Sequence, residues 1–225
     1  MHIGIRKLPS LPLVALTLAC STGQQFTTST PTAAAQGSPV TDTLSPTYVP
    51  PGFGSLKQDD ISLKVTPSTG LQVNAVPLDE TIIRLLSPDS YRALSELLKS
   101  KEADLKVIRE RYRLPSYSIW YLKFFATEQG ETRFSPQEFI INNTGRDFRP
   151  LEMLPMSPGF GEYRLKQREV QSALFVFDGQ IDINQPTKAT MEGTQSLTDW
   201  GRVLQIIERE RSMVRSRASA AVKKP

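Results

Sequence analysis

The sequence is almost without cysteine and histidine: its 225 residues include one of each, Cys20 and His2. A single cysteine cannot form a disulfide within one chain, and this pair is too few ligands for a cysteine/histidine zinc site. Ser-His-Asp and Cys-His catalysis also has no histidine available beyond His2. We therefore expect a protein that is not an enzyme and that holds no metal and no cofactor.

Motifs that bind phosphate or activate a serine are missing as well. No Gly-x-Gly-x-x-Gly sequence and no P-loop occurs, and no lysine stands three residues after a serine. Charged residues make up 22% of the chain and hydrophobic residues 39%, which is ordinary for a globular protein. The composition therefore predicts about one folded domain with additional segments.

The first twenty residues have the pattern of a secretory signal peptide. Arg6 and Lys7 precede the mostly apolar run 8–19, which is shorter than the roughly 20 residues that span a bilayer. Its length and the small residue Ala19 suit export and cleavage, so we predict that residues 1–19 are removed. The remaining chain would hold 25 Lys and Arg against 23 Asp and Glu, a charge of +2, which argues little for a nucleic-acid partner.

The segment from Leu16 to Cys20, LTLAC, resembles the lipobox of bacterial lipoproteins, although that family usually has leucine where this chain has Thr17. In the family, cleavage occurs before the cysteine, whose sulfur carries a diacylglycerol. The resemblance implies that Cys20 is acylated and attaches the protein to a membrane, since two or three acyl chains bind stably where one binds only marginally. An ordinary secretory signal with a chance cysteine is the alternative.

The lipoprotein resemblance also implies a location. The protein would be anchored in the cell envelope and face the periplasm or the cell exterior. Ser21 after the cysteine suits outer-membrane sorting in diderm bacteria, a rule that varies among bacteria.

Residues 20–55 are rich in Ser, Thr, Pro, Ala and Gly, and Asp42 is the only charged residue among them. Such a segment buries too little apolar surface to offset the entropy of ordering. We predict a lipidated flexible tether with a mean span of roughly 30 Å. The alternative is a segment that wraps along the body or a partner, using Phe26, Leu44 and Tyr48.

Alternation of apolar and polar residues begins near residue 56 and predicts β-strands. Residues 61–66 and 71–75 alternate on either side of the turn-forming sequence 67–70, which predicts a hairpin. Residues 117–127 are apolar on both faces, which predicts a central strand. Further strands are predicted at 134–142, 148–154, 171–177 and 187–191.

Two helices are predicted. Ser87 and Pro88 begin a helix over 88–112 whose apolar 3- and 4-residue spacing misses one position at Lys101. Asp199 or Thr198 caps a second helix over 198–217. The body thus occupies 56–218, and residues 219–225 form a basic tail.

This pattern predicts a mainly β, antiparallel sandwich with one inserted helix and one C-terminal helix. The segments 120–124, 134–139, 145–151 and 173–178 resemble the immunoglobulin-like domains of unknown function found in secreted bacterial lipoproteins. The resemblance implies an immunoglobulin-like antiparallel β-sandwich and no activity. The cysteine pair of true immunoglobulin domains is absent.

Oxygen-bearing side chains alternate at Asp178, Gln180, Asp182 and Asn184, the ligand type that calcium prefers. The EF-hand glycine and its distal glutamate are missing, so we favour a polar loop between two strands.

The connection 145–165 contains apolar residues suited to contact surfaces. It is long enough to suggest a partner surface. The alternative is a loop that closes one end of the sandwich. The candidate contact residues are Met153, Leu154, Met156, Phe160 and Tyr163.

The last helix is a second candidate surface. Arg211, Arg215 and Arg217 could approach anionic headgroups or an acidic partner. The alternative is a solvated face with ion pairs along the helix, in which Glu208 and Glu210 are solvated too.

These features predict a membrane-anchored envelope lipoprotein that acts as a non-catalytic protein-interaction, accessory or assembly subunit of a membrane complex. Its partners would be the membrane, through acylated Cys20, and another envelope or membrane-complex protein. The alternatives are a small-ligand or lipid carrier, with a cleft between helix 88–112 and the sheet, and a carboxylate-based hydrolase.

Overall fold

The computed structural model describes residues 48–67 and 70–222. The predicted signal peptide, the predicted acylation site Cys20 and most of the predicted tether lie outside the described residues, and so do residues 68–69 and 223–225. Within them the chain is mainly β, with antiparallel sheets and a long C-terminal helix, an arrangement consistent with a β-sandwich.

Eleven strands are present in the described residues. They are β1 (Leu63–Val65), β2 (Leu71–Pro77), β3 (Tyr117–Ala126), β4 (Glu131–Arg133), β5 (Ile140–Asn143), β6 (Arg146–Phe148), β7 (Glu152–Pro155), β8 (Arg164–Lys166), β9 (Val170–Asp178), β10 (Thr187–Met191) and β11 (Thr194–Gln195). One sheet has the order β1-β2-β3-β9-β7, a second has the order β11-β10-β5-β6, and β4 pairs with β8.

The prediction of a hairpin and a central strand is confirmed. Strands β1 and β2 pair with Leu63 opposite Ala75, and β3 lies between β2 and β9, with Trp120 opposite Phe175. One face of β3 is fully buried through Trp120, Leu122 and Phe124, and the other face is half-buried. A strand that is apolar on both faces is stable only where both are covered, which explains its central place.

Aromatic side chains from several elements form one core. The ring centroid of Phe175 in β9 lies 6.1 Å from that of Phe124 in β3 and 5.9 Å from that of Phe139. Phe139 directly precedes β5 of the other sheet. Phe124 also stacks on Phe134 at 4.6 Å. Rings from the two sheets therefore meet in the same core.

The helices are α1 (Glu80–Ile83), α2 (Pro88–Ser100), α3 (Glu102–Tyr112) and α4 (Trp200–Val222). The single helix expected over 88–112 is thus two helices, broken at Lys101, whose backbone leaves helical geometry. That is the position where the apolar spacing fails. Leu105 and Ile108 of α3 pack on Val176 of the sheet.

The C-terminal helix starts where predicted and ends later. The Asp199 carboxylate accepts hydrogen bonds from the Gly201 and Arg202 backbone N–H groups and caps α4. Thr198 has a different role, because its hydroxyl accepts from the Lys64 N–H and donates to the Ser62 carbonyl. Helix α4 continues to Val222, so most of the predicted basic tail is helical.

The folded body also begins earlier than predicted. Val49 is buried, and the Leu56 N–H donates to the Leu85 carbonyl. A Cβ at Gly54 would collide with the backbone of Leu85 and Leu86. Residues 48–55, expected to belong to the tether, therefore pack against the body, and a glycine is required where the two backbones approach.

Candidate functional site

The first predicted contact surface is only partly exposed. Met153, Leu154, Met156 and Tyr163 are half-buried against the core, and Phe160 is 2% exposed. The connection 145–165 is not a loop, since it contains β6, β7, a short 3-10 helix and the start of β8. Met153 and Leu154 belong to β7, which pairs with β9, and Phe160 and Tyr163 pack with the aromatic core. These side chains are therefore buried or half-buried within the body.

The three arginines of the second predicted surface, on α4, have different environments. Arg211 is only 7% exposed and donates to the Glu208 carboxylate, so its side chain does not lie on a free face. Arg217 donates to Glu210, and Arg215 is exposed with no ion pair in the described residues. Of the three predicted arginines, Arg215 is therefore both exposed and without an ion pair in the described residues, whereas Arg217 is exposed but paired.

The two predicted surfaces do not form one site. Strand β7 is one edge of the five-stranded sheet, whereas β1 is the opposite edge. Helix α4 contacts the 3-10 helix Gln58–Ile61, which directly precedes β1. A single partner patch that combines Met153 with the arginines is therefore not what the fold presents.

The alternating polar residues at 178–184 belong to a loop that hydrogen bonds from Asn143 of β5 hold in place. The buried amide of Asn143 donates to the carbonyl of Asp182 and to the Thr187 hydroxyl, and its oxygen accepts from the Asp182 N–H. The Asp182 carboxylate accepts from Asn184. No group of three or more acidic, histidine or cysteine side chains suited to a metal occurs in the described residues, and the hydrogen bonds explain this loop.

A groove with an apolar floor runs along α2, and we call it the α2 groove. It has a volume of about 500 Å³ and is bounded by α2, by residues 51–52 and by Glu80. Pro88, Tyr91 and Leu98 supply apolar surface. Its polar and charged lining residues are Glu80, Arg92, Ser95, Glu96 and Lys99.

The cleft expected between helix 88–112 and the sheet is occupied by side chains where α3 crosses it. Leu105 and Ile108 contact Val176, and Ile119 and Leu154 pack beside them. The concave surface of α2 lies instead against residues 51–52, so a carrier site would have to use the α2 groove.

Three carboxylates share a second concave surface of about 640 Å³, lined by Glu131, Glu162 and Glu169. Arg164 lies between the first two, 3.8 Å from Glu131 and 3.5 Å from Glu162. The Lys166 N–H and the Gln171 amide donate to Glu169 and lower the pKa of that carboxyl below its ordinary value. A glycosidase needs a general acid with a raised pKa, so Glu169 does not suit that role.

Sequence reasoning missed an ionic cluster around one buried carboxylate, where the predicted tether meets the body. Glu210 of α4 is 2% exposed. One of its oxygens accepts from the Ser55 N–H at 2.9 Å, the Ser55 hydroxyl at 2.8 Å and Arg217 at 2.7 Å. Arg217 also donates to the Phe53 carbonyl at 2.8 Å. We call these four residues the junction cluster.

Glu210 is thus not the solvated charge that was expected. Burial acts most strongly on its pKa and would raise it, but the bonds from Arg217 and Ser55 together outweigh burial and leave the pKa below its ordinary value. Its position in the helical spacing of apolar residues could have predicted that Glu210 is buried. Glu210 stands in the apolar stripe of Val203, Ile207 and Val214, where a charge requires partners that form hydrogen bonds with it.

No family model, curated protein or solved structure matches this chain. In the described residues, no helix is long and apolar enough to cross a membrane.

Proposed function

We propose that this protein is an envelope lipoprotein whose folded body is a non-catalytic interaction or assembly module, held at the membrane by acylated Cys20. Its body is proposed to be an immunoglobulin-like variant of the β-sandwich. The lipobox-like segment and the Ser/Thr/Pro-rich segment support the anchoring. Antiparallel sheets that share one aromatic core support the fold class.

The observation that carries the interaction role is the α2 groove. Its apolar surface from Tyr91, Leu98 and Pro88 is accompanied by charges of both signs, and a hydrophobic centre with a polar rim is the usual anatomy of a protein interface. Tyr and Arg, both present there, are enriched among residues that dominate binding energy. The groove includes Pro51 and Gly52, which precede the junction cluster in the sequence, so a bound partner would sit beside the point where the predicted tether joins the body.

Replacing Ser95 by arginine should block the α2 groove. Ser95 is partly buried in the lining of the groove, and a long charged side chain there would fill space and add charge to an apolar floor. Partner recovery from native host membranes with the tagged, acylated protein should fall by about ten-fold or more, the result of losing about 1.4 kcal/mol.

The matched control is Ala103→Arg, an exposed position on the neighbouring helix α3 that does not line the groove. It should leave partner recovery unchanged. Equal loss in both variants, or the absence of any stoichiometric partner with the unaltered chain, would contradict the proposal.

Replacing Cys20 by serine should release the protein from the membrane. Without the thiol no diacylglycerol can be attached, and the acyl chains supply most of the membrane affinity. Fractionation of the native host should move the protein from the membrane to the soluble envelope fraction. Unchanged partitioning, or a native protein whose mass shows no acyl chains, would refute the anchoring.

A small-ligand or lipid carrier is the second candidate, because the floor of the α2 groove is largely apolar. Native mass spectrometry separates the two functions. A bound small molecule that Ser95→Arg expels would favour the carrier over the interaction module.

A further inference from the structure

We propose that residues 41–47 of this same chain, with the sequence TDTLSPT, bind in the α2 groove and compete there with a partner. They directly precede the first residue that the structure describes, Tyr48. The inference deepens the proposed function and rests on it in one respect, namely that a partner binds in the same groove.

The described chain lies against the body up to its first residue. Val49 is 1% exposed, and its carbonyl accepts a hydrogen bond from the Arg84 guanidinium at 3.3 Å. The same guanidinium lies 5.5 Å from the centre of the Tyr48 ring. Residues 41–47 therefore start from a fixed point on the body, beside Arg84.

Glu80 connects that point to the α2 groove. Its carboxylate accepts from the Arg84 Nε at 2.7 Å and from the Tyr91 hydroxyl at 2.9 Å. Glu80 and Tyr91 both line the groove. The residue beside which the chain leaves the described body is thus bonded to the wall of the groove.

The length of the segment matches the groove. An extended chain spans at most about 3.3 to 3.6 Å per residue, so Leu44, four residues before Tyr48, lies within roughly 14 Å of it. The groove follows α2 over residues 88–99, a length of roughly 16 Å at 1.5 Å per residue. Residues 41–47 are long enough to follow it.

The chemistry of the segment also suits the groove. Leu44 and Pro46 are its apolar residues, and the floor of the groove is apolar, with the Tyr91 ring in its lining. Extended segments that contain proline bind aromatic-lined grooves well, because proline presets the extended conformation and less entropy is lost on binding. Proline also restricts the residue before it, Ser45, to extended geometry.

The charges are complementary. Arg92 and Lys99 of the lining are exposed and form no ion pair in the described residues. Of the two acids in the lining, Glu80 is already paired within the body and Glu96 is not. Asp42 is the only charged residue of the segment. Because the segment is covalently joined to the body, its effective concentration at the groove exceeds that of a second copy of the chain.

Disulfide trapping tests the proposal on the mature chain with Cys20→Ser, in which introduced cysteines are the only thiols. Ser45→Cys is combined with Ser95→Cys in the groove, and equilibrium with glutathione measures the effective concentration of the two thiols. The matched control combines Ser45→Cys with Ala93→Cys, an exposed position on α2 that does not line the groove. The Ser95 pair should form its intramolecular disulfide about ten-fold more favourably than the control pair.

Leu44→Asp, added to the Ser95 pair, should lower this equilibrium about ten-fold, because a charge is costly on an apolar floor. Thr43→Asp adds the same charge and keeps Leu44, so it should change the equilibrium by less than about three-fold. Equal equilibria for the two cysteine pairs, or an unchanged one with Leu44→Asp, would overturn the proposal. Disulfides that form only between chains would show a second copy in the groove and would overturn it too.

Failure of the proposed function is seen separately, since the trapping experiment needs no partner. Its result stands even if no partner is recovered from native membranes. Where a partner is recovered, Leu44→Asp in the acylated chain should raise its recovery, because the groove is then free in a larger fraction of molecules. Recovery that Leu44→Asp leaves unchanged would refute the competition but not the proposed function.

Discussion

Replacing Phe175 by alanine is expected to lower the free energy of unfolding by about 3 to 5 kcal/mol. Phe175 is fully buried in β9 and touches rings from both sheets, 6.1 Å from Phe124 and 5.9 Å from Phe139. Deleting its ring removes buried apolar surface and leaves a cavity among side chains that are fixed by two sheets. Urea unfolding followed by tryptophan fluorescence measures the loss, since Trp120 is in the same core.

Val170 at the start of the same strand is the matched control. It is 50% exposed, so Val170→Ala should change the free energy of unfolding by no more than about 0.5 kcal/mol. Phe175→Leu, which keeps part of the volume, should fall between the two. A Phe175→Ala protein as stable as Val170→Ala would mean that the aromatic core does not join the sheets as described.

Replacing Glu210 by alanine is expected to cost about 3 kcal/mol at neutral pH, because hydrogen bonds to a charged group contribute about 1.5 to 3 kcal/mol. The Ser55 N–H and hydroxyl would lose their shared acceptor, the Glu210 carboxylate, which is 2% exposed. Arg217, whose side chain is 40% exposed, would turn to water. Glu110→Ala on α3, an exposed acid without an ion pair in the described residues, should cost little. Chemical denaturation of both variants gives the comparison.

The Glu210 carboxyl also makes the free energy of unfolding depend on pH, in a direction that its lowered pKa determines. The folded pKa of Glu210 is lowered, because the bonds from Arg217 and Ser55 outweigh the opposing effect of burial. In the unfolded chain a glutamate titrates near a pKa of about 4.3. The stabilisation is therefore complete above that pH and is lost as the pH falls through the lower folded pKa.

Glu210→Gln has no proton to gain, so it isolates this contribution. The difference in unfolding free energy between the unaltered chain and Glu210→Gln should be largest at neutral pH and shrink progressively below a pH of about 4.3. A difference that stays constant down to pH 3, or grows there, would show that the junction cluster does not hold an ionised carboxylate.

Local signals were sufficient for several elements. The alternation at 61–66 and 71–75 predicted the first hairpin, and the apolar sequence on both faces of 117–127 predicted the central strand. The missing apolar position at Lys101 coincides with the break between α2 and α3, although we predicted one continuous helix there. Each of these features depends on residues within one or two turns or strands. Over that distance the spacing of apolar residues indicates which side of the element is buried.

The contact surfaces were not predictable in the same way. Met153 and Leu154 fell at the end of a predicted strand and also in a connection suited to a contact surface. The sequence did not decide between these, because β7 has only four residues and its partner β9 begins fifteen residues after β7 ends. Phe160 looked like a partner anchor because its neighbours Phe124, Phe134 and Phe175 come from distant segments. A residue's exposure follows from what folds against it, and that information is not local.

The sequence alone predicted the first hairpin, the central strand and the start of α4, with Asp199 as one of two candidate caps. It also carries the segment 1–20, from which export and acylation are proposed. Only the tertiary structure decided which charges are free. It buries Glu210 with Ser55, 155 residues away, and leaves Arg209 and Arg215 exposed on the same helix. The physical reason is that periodicity assigns a residue to a face, whereas the cost of burying a charge depends on partners that arrive from elsewhere in the chain.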